Sequence, residues 1–132
     1  MDDAQVRLVQ DSWARINPLG MRFVRDFYAR LFDSHPELEG LFPDDMASQE
    51  NLLYRMFNSA VSSVSSPAIF DSMMTRLGIQ HGEYGLTQEH YAVFTRSMLQ
   101  TMQETLDAEW TADHEDAWQE MFQEMCGRML AA

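Results

Sequence analysis

Apolar residues recur at three- and four-residue intervals along almost the whole chain, and this helical periodicity limits the fold more than any other feature. The first run extends from about Asp3 to Ile16 and places Val6, Val9 and Trp13 on one face. No stretch shows the alternation of β-branched and polar residues that is typical of strands. The sequence therefore predicts an all-α protein.

Breaks in this periodicity divide the chain into about seven predicted helices. The second runs from about Leu19 to Phe32, and Ser34-His35-Pro36 is typical of the cap and first turn of a short third helix. The serine-rich run Ser62–Ser66 is predicted to be a connector. Seven helices of uneven length fit a four-helix bundle poorly. The remaining predicted helices begin near Met46, Pro67, Thr87 and Thr111.

An acidic composition limits the partners that the chain can have. The 132 residues, a length typical of one domain, carry 21 acidic and nine basic side chains, for a formal net charge of −12. Such a surface disfavours non-specific nucleic-acid binding and adsorption on anionic membranes. Its simplest interpretation is a self-repelling surface, and the alternative is electrostatic attraction of a basic protein partner. We expect one domain over residues 1–132 that binds neither nucleic acid nor membranes.

The thiol content and the first residues indicate the cellular compartment. Cys126 is the only cysteine, so neither an intrachain disulfide nor a cysteine-rich zinc site is expected. The chain begins Met1-Asp2-Asp3, without a basic segment followed by an apolar run, and no apolar run is long enough to span a bilayer. We expect a cytoplasmic protein.

His81 is the first candidate for a metal ligand, because it stands at the end of the fifth predicted helix, after Leu77-Gly78-Ile79-Gln80. A neutral imidazole can bind a metal, but a histidine in this position can also simply stabilise the negative end of a helix dipole. This stretch by itself favours the structural role. Of the other histidines, His35 is expected at a helix start and His90 and His114 on the surface.

Several features, in this order along the chain, resemble the bacterial single-domain haemoglobins and the globin domain of flavohaemoglobins. The segment Phe27–Phe42 is similar to their early helices, and Met46–Leu53 is similar to their distal helix. The segment His81–Tyr91 resembles the proximal helix and the beginning of the next one, and Trp118 and Phe122 match aromatic positions of the last helix. The resemblance covers nearly the whole chain and implies a globin-like fold around a haem pocket.

The resemblance also implies a role for individual residues. His81 would be the proximal ligand of a haem b iron, and Tyr28 and Gln49 the distal pair that hydrogen-bonds a gas ligand at the iron. The second ring nitrogen of His81 needs an acceptor, most simply a carbonyl one turn earlier, near Leu77. Taken singly, each residue also fits an ordinary core or surface position, and only their coincidence favours haem. The residues expected to line the haem are Phe42, Leu53, Leu77, Leu86, Tyr91, Phe94 and Met98.

Two departures from the family pattern affect these expectations. The glutamate that couples through the tyrosine matching Tyr91 to the proximal histidine would fall just past Ala132, so a weaker electronic push on the iron is expected. Leu52 stands where many relatives have a lysine near the propionate side of the haem, which leaves the propionate partners open.

The function implied by the resemblance is reversible binding of O2, NO or CO at a five-coordinate haem iron, for oxygen binding and transport or for nitric oxide detoxification. Nitric oxide dioxygenation would need a separate reductase, since no flavin or nicotinamide module is expected in these 132 residues, so a binding protein is favoured over an enzyme. Two alternatives stay open: a haem-based gas sensor and a haem-free regulatory module with a globin fold. A homodimer stays open as well.

Overall fold

The computed structural model describes residues 1–132 and contains six α-helices, three short 3-10 helices and no strand, so the all-α prediction is confirmed. None of its helices combines the length and the apolar character needed to cross a membrane. The 3-10 helices comprise Asn17–Leu19, Pro36–Leu41 and Asp107–Glu109. The α-helices are α1 (Asp3–Ile16), α2 (Met21–Ser34), α3 (Ala47–Ser63), α4 (Pro67–Glu83), α5 (Gln88–Leu106) and α6 (Ala112–Ala131).

The seven predicted helices correspond to these six α-helices and to the 3-10 helix Pro36–Leu41. Helix α1 has the predicted bounds, whereas α2 begins later than predicted because the chain first makes the 3-10 turn Asn17–Leu19. The prediction of a connector over Ser62–Ser66 is wrong at its beginning, since α3 continues through Ser63. The hydroxyl of Ser63 donates to the carbonyl of Ser59 at 2.8 Å and is thus satisfied inside the helix.

Reciprocal side-chain caps begin α5 and α6. The hydroxyl of Thr87 accepts from the backbone N–H of His90, and Nδ1 of His90 accepts from the backbone N–H of Thr87 at 2.9 Å. Thr111 and His114 form the same capping box, with 3.1 Å between the backbone nitrogen of Thr111 and Nδ1 of His114. The prediction that His114 lies on the surface is wrong: it is only 8% exposed and its ring stacks on Trp110.

One cluster of 26 buried apolar residues forms the core where the helices meet. Trp118 of α6 is fully buried, and its indole N–H donates to the hydroxyl of Ser12 in α1 at 2.8 Å. Phe57 of α3 stacks on Trp13 with ring centroids 5.3 Å apart and also contacts Trp118. Each such buried aromatic ring contributes about 1.5–3 kcal/mol of hydrophobic stabilisation. These contacts join helices α1, α3 and α6 in the core.

Candidate functional site

The ring of His81 is oriented by a backbone carbonyl one helical turn earlier. Its Nδ1 lies 2.6 Å from the carbonyl oxygen of Leu77, which confirms the acceptor predicted from the sequence. Because a carbonyl can only accept, Nδ1 carries the proton and Nε2 carries the lone pair in the neutral ring. Nε2 makes no hydrogen bond within the protein, and a metal ligand of this type needs such a free lone pair.

The backbone carbonyl of His81 takes part in the cap at the C-terminal end of α4. The carbonyl of His81 accepts from the backbone N–H groups of Tyr84 at 3.1 Å and Leu86 at 3.4 Å. Gly85 has a φ of 73°, a left-handed conformation that suits glycine and lets the chain turn back at the helix end. This turn brings Leu86 against the core, half-buried, beside the His81 turn.

Tyr91 covers one face of His81. The two ring centroids are 6.1 Å apart and their planes differ by 30°. Burial raises the pKa of the Tyr91 hydroxyl, and the nearby Cys126 raises it further. Burial also raises the pKa of the half-buried Cys126 thiol, against the opposing hydrogen bond from Thr95. These groups therefore stay uncharged at neutral pH, and the surroundings of His81 on this side are weakly polar.

On α2, Tyr28 is only 5% exposed and contacts the first turn of α3. The amide Nε2 of Gln49 donates to the Tyr28 hydroxyl oxygen at 3.3 Å. An amide nitrogen can only donate, so the hydroxyl keeps its own proton to donate elsewhere. Burial raises the pKa of Tyr28 to about 12, the bond from Gln49 opposes that shift, and the charge of Glu50 adds to it. Tyr28 is therefore a neutral donor throughout the physiological pH range.

An aromatic cluster surrounds Tyr28. Phe42, half-buried just after the 3-10 helix Pro36–Leu41, meets Tyr28 edge to face with ring centroids 5.6 Å apart. Phe32 stacks on Tyr28 at 5.8 Å and contacts Phe42 at 5.3 Å. Phe32 was not among the site residues predicted from the sequence, although its spacing of one helical turn from Tyr28 was the available signal.

The remaining predicted residues occupy the space between helices. Leu53 is buried one turn after Gln49, Met98 is fully buried, and Leu77 is half-buried against the core. Phe94 meets Phe27 with ring centroids 5.1 Å apart. The structure thus brings the predicted site residues together in two groups, one at Tyr28 and one at His81. No hydrogen bond or ring contact joins the two groups directly.

The donor set of this region differs from that of a metal cage. The chain has no group of three or more histidine, cysteine, aspartate or glutamate side chains that could hold a metal ion. A single imidazole nitrogen, a buried hydroxyl–amide pair and many apolar side chains suit a large, mostly apolar ligand that brings its own metal.

Comparison with known proteins identifies similar proteins along most of the chain. A family model described as Globin matches residues 25–129. The chain is 23% identical over 106 residues to a Flavohemoprotein of Rhizobium meliloti, covering 78% of this chain and 26% of that protein. It is 26% identical over 102 residues to a Flavohemoprotein of Bordetella pertussis, covering 75% and 25%. It is also 22% identical over 138 residues to the Anaerobic nitrite reductase HBII of Casuarina glauca, covering 93% and 86%.

Proposed function

This chain belongs to the globin family, and from that premise we propose that it is a haem-binding protein that reversibly binds O2 or another diatomic gas. Its membership confirms the predicted globin-like fold and the resemblance to the globin domain of flavohaemoglobins. The chain spans only about a quarter of the two flavohemoproteins, so activities that those proteins perform with the rest of their length are proposals here.

The single observation that carries the proposal is the hydrogen bond from Nδ1 of His81 to the Leu77 carbonyl. This bond leaves the lone pair of Nε2 free in a half-buried ring of fixed orientation. Nε2 is the atom that would bind a haem iron. Haem would supply an iron with one coordination position open to a gas ligand. The apolar side chains of Phe42, Leu53 and Leu86 would pack on the porphyrin.

Tyr28 and Gln49 suit the recognition of a polarised gas ligand. The Tyr28 hydroxyl keeps a proton for donation, because Gln49 donates to its oxygen rather than accepting from it. Tyr28 is buried and its ring packs against Phe32 and Phe42, and a hydrogen bond made in such surroundings is stronger than one made in water. The pair would therefore hold an electron-rich diatomic ligand longer than apolar side chains could.

Haem binding is tested by the absorption spectrum of the purified protein. We expect a strong Soret band that disappears in His81→Ala and persists in the matched control His90→Ala, because His90 takes part only in the cap of α5. A colourless protein that haemin cannot reconstitute would refute the proposal and favour a haem-free regulatory module. A six-coordinate spectrum without added ligand would contradict simple gas binding and favour sensing through ligand exchange.

A second activity, nitric oxide dioxygenation, would require electrons from a separate reductase. The net charge of −12 favours a reductase with a basic docking surface. If such a partner acts on this protein, the rate of reduction should fall steeply as ionic strength rises, because salt screens the attraction. Reduction by an uncharged small reductant serves as the control. A rate of enzymatic reduction that is indifferent to salt would contradict electrostatic docking.

A further inference from the structure

At Gly78, the backbone of α4 lies directly against the backbone of α6. A Cβ atom placed on Gly78 would lie 2.3 Å from the carbonyl oxygen of Met129 and 2.6 Å from its Cα, whereas ordinary contacts begin at about 3.4 Å. The matching position on Gly82, in the same helix, has no atom within 4 Å. The close approach at Gly78 therefore excludes any side chain, and the atoms in its way belong to a helix backbone that cannot rotate aside.

The buried side chains of α4 become smaller toward this contact. Its buried residues follow a four-residue spacing, from Phe70 through Met74 to Gly78, so the side chains along this face become smaller toward the C-terminal end. The distance between packed helices depends on the side chains at their contact. The absence of a side chain at Gly78 therefore allows a close approach of α4 to α6 in the turn that precedes His81. The ion pair of Asp71 with Arg128 also links the two helices, at the surface.

The contact lies within the turn that orients His81. Gly78 follows Leu77, whose carbonyl accepts from the His81 ring, and precedes His81 by three residues. We propose that Gly78 is a positioning residue for His81: its missing side chain lets α4 rest on the Met129 backbone and so determines how deeply the His81 ring sits. The consequence for a cofactor rests on the proposed function, whereas the helix separation does not.

Gly78→Ala is the smallest change that tests this role. Relief of the overlap requires the two backbones to separate by about 1 Å. In crystal structures we expect α4 of this variant to lie farther from α6, with the His81 ring displaced by a similar distance. In the reduced haem protein we expect a shifted iron–histidine stretching band in resonance Raman spectra and a several-fold change in the gas dissociation rate.

Two control variants separate positioning from general loss of stability. Gly82→Ala makes the same chemical change one residue after His81, where a Cβ meets nothing, and should leave the separation and the band unchanged. Val9→Ala removes fully buried volume from α1, away from α4, and should lower the unfolding free energy without moving the band.

Each outcome bears on the proposal. An unchanged helix separation in Gly78→Ala, or a band that moves equally in Val9→Ala, would overturn it. If Gly78→Ala does not fold, Met74→Phe provides a second test, because it enlarges a buried side chain on the same face of α4 one turn earlier. This variant should shift the iron–histidine band relative to the wild type. An unshifted band in Met74→Phe would also overturn the proposal. If the wild-type protein binds no haem, the proposed function fails, and the crystal structures of the haem-free variants still decide the role of Gly78.

Discussion

At the scale of single residues, the buried hydroxyl of Tyr28 is the main polar feature of the group at Tyr28. A buried hydroxyl normally requires a hydrogen-bond partner, and Gln49 satisfies the oxygen while leaving the proton available. The ring packs against Phe32 and Phe42, and under the proposed function the hydroxyl would thus be oriented in advance for a gas ligand. A donor oriented in advance loses little side-chain entropy when it makes its bond.

Tyr28→Phe should therefore speed the dissociation of O2 from the haem protein. A buried hydrogen bond contributes roughly 1–3 kcal/mol, which corresponds to an increase of about 5- to 150-fold in the rate. Stopped-flow displacement measures this rate directly. Tyr84→Phe is the matched control, because Tyr84 is 72% exposed and should not contact the ligand. An off-rate equal to that of the wild type would mean that the Tyr28 hydroxyl donates elsewhere.

The same residue makes the stability of the native state sensitive to alkaline pH. Burial raises the pKa of Tyr28 from 10.0 to about 12, so between these values the native state holds a proton that the unfolded state has released. The unfolding free energy must then fall as pH rises through this window, by about 2–3 kcal/mol at most. Urea unfolding at several pH values should show this slope in the wild type.

The slope should be smaller in Tyr28→Phe, which lacks the titrating hydroxyl. Absorbance at alkaline pH provides an independent measurement. The wild type should show one more late phenol ionisation than the variant, in addition to that of Tyr91, and in the urea-unfolded wild type it should occur at lower pH. Identical pH dependence of unfolding in the two proteins would show that Tyr28 is more solvated than its surroundings indicate.

At the scale of helices, the capping boxes determine where α5 and α6 begin. Both boxes pair a threonine hydroxyl with a backbone N–H three residues later and use histidine as the reciprocal acceptor. The helix beginnings near Thr87 and Thr111 were predicted from the sequence, but the role of His114 was not, since the usual reciprocal partner in a capping box is glutamate or glutamine. The cap at Thr111 also fixes His114 against Trp110.

Thr111→Ala should lower the unfolding free energy by about 1 kcal/mol, because the first turn of α6 loses the side-chain acceptor for the His114 N–H. Equilibrium unfolding in urea measures the change. Thr75→Ala provides the matched control: Thr75 is exposed in the interior of α4, and alanine there should be neutral or slightly stabilising. An equal loss in both variants would show that the hydroxyl of Thr111 does not act as a cap.

At the scale of the whole molecule, uneven charge governs the response to salt. Only five ion pairs occur among 21 acidic and nine basic side chains, one of them made by the chain's N-terminal ammonium with Glu124. Exposed pairs of this kind contribute about 0–1 kcal/mol each. Repulsion among the unpaired carboxylates should therefore exceed the attraction within the pairs.

The melting temperature should accordingly rise between about 10 mM and 150 mM NaCl, as the screening length shortens from roughly 30 Å to 8 Å. Thermal unfolding followed by circular dichroism measures the change, and equal concentrations of an uncharged osmolyte control for effects unrelated to screening. A melting temperature that falls over this range would show that the ion pairs dominate.

Features that depend on neighbours along the chain could be predicted from the amino-acid sequence. Helical periodicity and threonine caps are local, since they involve residues three or four positions apart, and they predicted the fold class and the beginnings of α5 and α6. The acceptor for His81 lies one turn earlier in the same helix, and it was predictable for the same reason.

Contacts between helices, in contrast, could be read only from the folded molecule. The hydrogen bond between Gln49 and Tyr28 joins residues 21 positions apart. Whether the Gln49 amide reaches the Tyr28 hydroxyl depends on how α3 packs on α2. The contact of Gly78 with Met129 depends on the position of two helix axes, which is the joint result of packing the whole core. Periodicity states which face of a helix is buried, but not how closely another helix approaches it, because that distance is determined by side chains from every helix in contact.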